Sequence, residues 1–211
     1  MGYYPIFLDL KGRSCLVVGG GEVAERKVRG LLDAGARVTV ISPDLTRQLE
    51  VWVKEAKLFH EPRHYRPGDL RKYQLAFVAT DDRSVNGVVF EEARHLGVWV
   101  NAADDPAHCD FILPSVLRRG ELAVAVASGG TSPALSRAVR EELEAYLTDD
   151  YAVLSEIAAE VRQELKRQAS RPGPEAWRRA LDSAFRKLVR EGKRAEAKDY
   201  LLRRLGGEIC G

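Results

Sequence analysis

Apolar residues in the first half of the chain fall in short unbroken runs, separated by stretches with helical spacing. Cys15, Leu16, Val17 and Val18 form the first run, of a length that suits a strand buried on both faces. Gly19, Gly21 and Ala24 follow at once in the spacing Gly-x-Gly-x-x-Ala, and a helical pattern then runs to Ala34 and Gly35. A second strand is predicted over residues 37–41, and a helix over 44–55 with Asp44 or Thr46 as its cap. A short strand over 58–60 and a polar turn at Arg66, Pro67, Gly68 and Asp69 come next. A buried strand over 75–79, a helix over 84–96 stopped by Gly97, and a strand over 98–101 complete the series. Such alternation implies a mostly parallel sheet covered on both faces, with ligands beyond the carboxyl ends of the strands.

The pattern changes after Phe111. Pro114 and Ser115 break it, and Gly120 separates two short segments, the second a strand over 122–127. A helix is expected over 133–147, capped by Ser132 with Pro133 at its first position. Three amphipathic, charge-laced helices follow, over 152–168, 175–189 and 194–204, parted by the 170–174 break and by Gly192. A helical tail of this kind closes a core or a dimer.

Composition narrows the class. With 211 residues, 45% hydrophobic and a net charge of +2, the chain has room for one full domain and a smaller appendage. That charge balance argues against a nucleic-acid binder held by electrostatics. No run approaches the ~20 apolar residues of a membrane span, and the first residues lack a secretory pattern. Three scattered cysteines, Cys15, Cys109 and Cys210, do not make a disulfide framework and fit a reducing cytoplasm.

Chemistry is expected in the segments just past the strands. A strand, a glycine turn and a helix in that order form the Rossmann arrangement for a dinucleotide. Gly19 permits the tight turn, Gly21 allows close approach of the pyrophosphate, and Ala24 lets helix and strand pack. After the second strand, Pro43 and Asp44 lie where the adenosine ribose is held. No arginine sits directly at that strand end, although Arg47 is near, which favours NAD over NADP. Asp44 has a plainer reading as a helix cap. Thr80 faces the middle of the cofactor, while Asp81 and Asp82 serve as cofactor contacts or as caps of the next helix. Asn101, Asp104 and Asp105 follow the fifth strand, close to the nicotinamide. A carboxylate there is a candidate general base, and a solvated turn is the alternative. Lys27 and Arg26 are expected on the outer face of the first helix. His108 and Cys109 lack ligand spacing, so no dedicated metal site is expected; His60, His64 and His95 are expected on the surface.

Taken together, the segments resemble the precorrin-2 dehydrogenase family, the N-terminal region of siroheme synthases. The resemblance is carried by Pro5, Ile6 and Phe7; by Val18 through Lys27; by Ala79 through Asp82 with Val85 and Asn86; by Asn101 through Asp105; by Phe111, Ile112, Pro114 and Ser115; and by Ser128 through Pro133. It implies an NAD-dependent oxidation of precorrin-2 to sirohydrochlorin, in some members followed by insertion of Fe²⁺ or Co²⁺. The implied fold is α/β: an N-terminal Rossmann-like parallel sheet (1–113), a small α+β dimerisation region (114–148) and a C-terminal helical domain (149–211), paired as a homodimer.

Matched residue by residue, the family's essential aspartate falls on Asp104. The cofactor pair after the glycine turn falls on Glu22 and Val23, and the ribose-side pair on Pro43 and Asp44. The serine phosphorylated in some members falls on Ser128. The methyltransferase part of fused siroheme synthases is not expected here.

Precorrin-2 carries many carboxylates, so its pocket needs anion-binding groups. Ser128, Gly129, Gly130 and Thr131, opening a helix, offer N–H and hydroxyl donors. Arg118, Arg119 and Arg137 are candidates for bidentate pairs with the acid side chains, or else solvated arginines. Two rivals remain. A short-chain dehydrogenase needs Tyr-x-x-x-Lys, which none of the seven tyrosines provides. An NAD-binding regulatory module without catalysis would need neither Asp104 nor the loop at Ser128.

Overall fold

The computed structural model describes residues 2–80, 82–103 and 105–206, the Arg83 side chain excepted. These fall into two compact units, Met1–Ile112 and Leu113–Gly211.

The first unit is built on a five-stranded parallel sheet: β1 (Ser14–Val18), β2 (Arg37–Ile41), β3 (Leu58–Glu61), β4 (Leu75–Val78) and β5 (Trp99–Ala102). Their order across the sheet is β3-β2-β1-β4-β5. Side chains alternate between faces along each strand. Cys15 and Val17 of β1 and Leu75 and Phe77 of β4 pack under α1 (Glu22–Asp33) and α2 (Arg47–Lys54). Leu16, Val18, Ala76 and Val78 pack on the opposite face under α3 (Arg83–Leu96). Both halves of that alternation are apolar because both faces are covered, which is why β1 reads as a continuous hydrophobic run.

Strand order reverses between β1 and β4, and this is the crevice where open α/β sheets bind ligands. Beyond β5 the chain doubles back. Asn101 bridges Cys109 in antiparallel fashion, and Val100 exchanges bonds with Asp110 through both its carbonyl and its amide (2.8 Å each). Phe111 then meets Phe77 edge to face at 5.6 Å.

The second unit opens with an antiparallel hairpin, β6 (Ser115–Arg119) and β7 (Leu122–Val126), turned at Gly120 with φ +57°. Helix α4 (Pro133–Tyr146) follows, then α5 (Asp150–Arg167), α6 (Pro174–Ala180), α7 (Ser183–Arg190) and α8 (Arg194–Gly206). Ile157, Val161, Leu165, Phe185, Leu201 and Leu205 form the core of these last four helices.

The single helix expected over 175–189 is instead two, broken before Asp182. The Asp182 carboxylate accepts the Phe185 amide (3.0 Å), the Tyr200 hydroxyl (2.6 Å) and the Arg204 guanidinium (3.1 Å). A carboxylate capping a new helix satisfies more polar groups than one left in mid-helix.

Candidate functional site

The glycine turn after β1 is tightly boxed in. Gly19 has φ +116°, and a Cβ there would lie 2.2 Å from the Ala79 carbonyl oxygen at the end of β4. Its amide donates to the Ile41 carbonyl at the end of β2 (3.0 Å). A Cβ on Gly20 would stand 1.9 Å from the Asp44 carbonyl oxygen and 2.8 Å from Ser42 Oγ. Gly20, to which the sequence reading gave no task, is therefore as constrained as Gly19. Gly21 differs, for a Cβ there would meet nothing within 4 Å. Two glycines serve the fold and the third leaves space for a ligand. Ala24 is fully buried in the core shared with Val17 and Val40, where a larger side chain would push α1 off the sheet.

The start of α1 is bare. Gly21 is its N-cap and has no side chain to offer, and the first amide to find a helical partner is that of Glu25, bonded to the Gly21 carbonyl (2.9 Å). Side chains cap four other helices: Thr46 for α2, Asp82 for α3, Ser132 for α4 and Asp182 for α7. Unpaired amides, the positive end of a helix dipole and open space above Gly21 together fit a dinucleotide pyrophosphate. Val23 is half-buried and Glu22 exposed beside this opening.

On the ribose side, Ser42 is buried and its carbonyl is held by the half-buried His60 through Nε2 at 2.9 Å. Pro43 and Asp44 are exposed. Thr46, not Asp44, caps α2: its hydroxyl oxygen accepts the Leu49 amide (3.3 Å) and the hydroxyl donates to Glu25 Oε2 (2.7 Å). The Asp44 carboxylate thus carries no capping duty.

At the end of β4, Thr80 Oγ1 accepts the Asp82 amide (3.2 Å). Asp82 caps α3 through the Ser84 amide (2.9 Å) and hydroxyl (2.6 Å), and these bonds hold its carboxyl below the usual carboxylate range. Asp81 lies outside the described residues. Asn86, in the first turn of α3, is buried with its Oδ1 lacking a hydrogen bond.

Asp104 also lies outside the described residues, but its surroundings are defined. The Ala103 amide donates to the Val78 carbonyl (2.8 Å), and Asp105 Oδ2 meets His108 Nδ1 at 2.6 Å. The Cys109 thiol, pushed up in pKa by burial, sits 3.2 Å from the Ala102 carbonyl oxygen and 3.3 Å from that of Asp105.

Two expectations change here. Asn101, assigned to the cofactor, is only 8% exposed and its side chain works inside the protein. Its Nδ2 donates to the Phe111 carbonyl (2.9 Å), and its Oδ1 accepts from Lys27 Nζ (3.4 Å). Lys27, assigned to the outer face of α1, is half-buried, its ammonium 5.6 Å from the Phe77 ring centroid. It stands three residues from Ala24 on the buried stripe, so its stem lies along the sheet while its head reaches the strand ends.

In the second unit, the loop before α4 is closed on itself. Ser128 Oγ donates to the Ser132 carbonyl (2.8 Å) and accepts the Ser132 amide (2.9 Å). Thr131 Oγ1 donates to the Ser128 carbonyl (2.6 Å), and Ser132 Oγ accepts the Leu135 amide (3.2 Å). Gly129 and Gly130, with φ +64° and +83°, make the reversal possible. The hydroxyls expected to meet substrate are thus engaged locally. Of the candidate arginines, Arg118 is exposed, Arg137 is exposed beside Glu141 (3.5 Å), and Arg119 folds onto Asp149 (3.1 Å) and Glu144 (3.7 Å). Arg119 is thereby a structural cation rather than a waiting ligand.

Residues 6–115 match the NAD(P)-binding sequence family NAD_binding_7, and residues 119–146 match the central part of sirohaem biosynthesis proteins. The chain belongs to the NAD(P)-binding family whose model covers residues 6–115. Its N-terminal unit is a nicotinamide dinucleotide-binding domain. The siroheme synthase of Nitrosomonas europaea is 43% identical over 206 residues, which are 95% of this chain and 43% of that protein. That of Nitrosomonas eutropha is 39% identical over 212 residues, 99% of this chain and 44% of its own. The chain therefore spans less than half the length of these relatives. Among solved structures, SirC, a precorrin-2 dehydrogenase, superposes with a TM-score of 0.75 at 27% identity, covering 93% of this chain and 99% of that one. Among the described residues no group of three or more His, Cys, Asp or Glu side chains is placed to hold a metal ion, and no helix is long and apolar enough to cross a membrane.

Proposed function

We propose that this protein oxidises precorrin-2 to sirohydrochlorin with NAD as oxidant. The observation that carries the reading is the bare, glycine-boxed start of α1 at the strand-order reversal, with β4 alone between it and the strand that leads into the turn bearing Asp104. SirC, similar along nearly its whole length, supports the choice of substrate.

When bound, NAD supplies the two-electron oxidant that accepts a hydride from a ring carbon. The chain's own residues do the rest. The amides of Glu22 and Val23 and the space over Gly21 fix the pyrophosphate, while Pro43 and Asp44 line the ribose side. Thr80 lies along the cofactor's middle. Asp104 accepts the proton that the tetrapyrrole loses, so that hydride and proton together account for the two hydrogens removed. Ser128 to Thr131, Arg118 and Arg137 recognise the acid side chains, with the backbone amides of Gly129 and Gly130 as the donors, since the nearby hydroxyls are engaged.

The same carboxylate suits removal of pyrrolic protons, so insertion of Fe²⁺ or Co²⁺ into the product is included in the proposal, the metal ion being a substrate. We further assign residues 114–148 to dimerisation and 149–211 to a helical domain. The exposed apolar side chains of Val116, Leu135 and Tyr146 support a homodimer, and the free thiols of Cys15 and Cys109 support a cytoplasmic setting.

The test mixes protein with precorrin-2 and NAD and follows NADH absorbance together with the sirohydrochlorin spectrum. Both should appear. Asp104→Ala should lower turnover by about 10² or more, the usual worth of a general base, with NAD affinity retained. NAD binding without either product would identify a regulatory module instead.

A further inference from the structure

The Lys27 ammonium reaches from α1 across the strand ends to Asn101, three residues before the proposed base, and does not lie on the outer face of its helix. From this juxtaposition we infer that Lys27 is a positioning residue of the dehydrogenase site, tying the helix that holds the cofactor to the turn that carries Asp104. The inference rests on the reading of Asp104 given above.

Four contacts define the tie. Lys27 Nζ is 3.4 Å from Asn101 Oδ1, and the Asn101 Nδ2 group donates onward to the Phe111 carbonyl at 2.9 Å. Phe111 in turn packs edge to face on Phe77, over whose ring the ammonium sits at 5.6 Å. The chain of contacts runs from α1 through Asn101, near the end of β5, to Phe111, where the chain has doubled back. Asn101 and Phe111, on either side of the turn, are thereby fixed relative to the amides at the start of α1. The positive field of Lys27 also reaches Cys109, where it opposes the rise in thiol pKa that burial imposes.

A partly buried ammonium at this place does two things for the turn. It fixes the direction of the Asn101 side chain, which otherwise has two rotations of its amide available. It also supplies positive charge to the stretch that follows β5, where its field is felt at Cys109. A neutral side chain of similar length keeps the packing against Phe77 and loses both effects.

The experiment compares full-length Lys27→Met, Lys27→Gln and Lys27→Arg with wild type and with Asp104→Ala. Each is assayed for kcat, for the KM of NAD, for NAD affinity by titration and for melting temperature. For Met and Gln, the expected result is a kcat lowered by roughly tenfold to a hundredfold, the range a misplaced catalytic group produces. NAD affinity and KM should stay within about twofold, well below a tenfold change in binding, and Arg should restore most of the rate. Gln, shorter and uncharged but polar, secures the comparison should Met unfold. Wild-type kcat in Met or Gln, an Arg variant no better than either, or a kcat loss matched by equal losses of NAD affinity and melting temperature would overturn the inference. Full turnover in Asp104→Ala would sink the assignment of the base itself. Loss there beside unchanged turnover in the Lys27 variants would sink only the role of Lys27.

Discussion

Two glycine-rich loops lead into helices, one before α1 and one before α4, and they treat the helix start in opposite ways. At the first, Gly19 and Gly20 are locked by neighbouring carbonyls, Gly21 faces open space, and no side chain caps the helix. At the second, Ser128, Thr131 and Ser132 satisfy one another and the first turn of α4. The two stretches look alike in composition, yet only the first leaves its amide donors without a side-chain cap. The first amides of a helix stay free for an anion when the protein withholds the hydroxyl or carboxylate that would otherwise cap them.

The contrast breaks most severely at Gly20. Gly20→Ala sets a methyl group against the Asp44 carbonyl, where neither backbone can yield cheaply. A loss of about 3 kcal/mol is expected, measured by denaturant unfolding, together with loss of NAD binding. Next is Asp182→Ala, at a helix start closed by a carboxylate, which should cost about 1–2 kcal/mol at neutral pH.

That second effect has a defined pH dependence. Burial works against the charged form of Asp182, but bonds from Tyr200, the Phe185 amide and Arg204 outweigh it and hold the carboxyl below its ordinary 3.8. A group with a depressed pKa stabilises fully above its unfolded value, and that contribution is lost as pH falls through the folded one. Unfolding curves of wild type and Asp182→Ala should therefore converge below pH 3.8. The smallest effect is at Ser128→Ala, about 1 kcal/mol for the bonds to Ser132, with NAD affinity unchanged. A drop in NAD affinity there would erase the distinction between the two loops.

Periodicity and glycine spacing were enough to read the parallel sheet and the cradle, because strands covered on both faces have no polar positions to confuse the pattern. Other features depended on partners distant in sequence. No glycine or proline near residue 181 signals the break between α6 and α7; Asp182 caps the new helix and is held by Tyr200 and Arg204 reaching back to it. The choice of Thr46 over Asp44 as cap depends on the Gly20 carbonyl, which takes the Thr46 amide at 2.9 Å. Lys27 looked like an outer-face lysine because charge outweighed position. Its spacing from Ala24 was the signal for the buried edge. Asn101 was legible as important, but its bonds to Phe111 and Lys27 arise from the return of the chain after β5 and not from its neighbours in sequence.

The most direct test is the NAD dissociation constant of Gly21→Ala beside that of wild type. With φ −82° and ψ −172° at this residue, alanine fits the backbone without strain, and its methyl group points only into open space, where the pyrophosphate is proposed to lie. The account predicts an unchanged unfolding midpoint with NAD affinity weakened at least tenfold, about 1.4 kcal/mol. Wild-type affinity in a properly folded Gly21→Ala protein would contradict it.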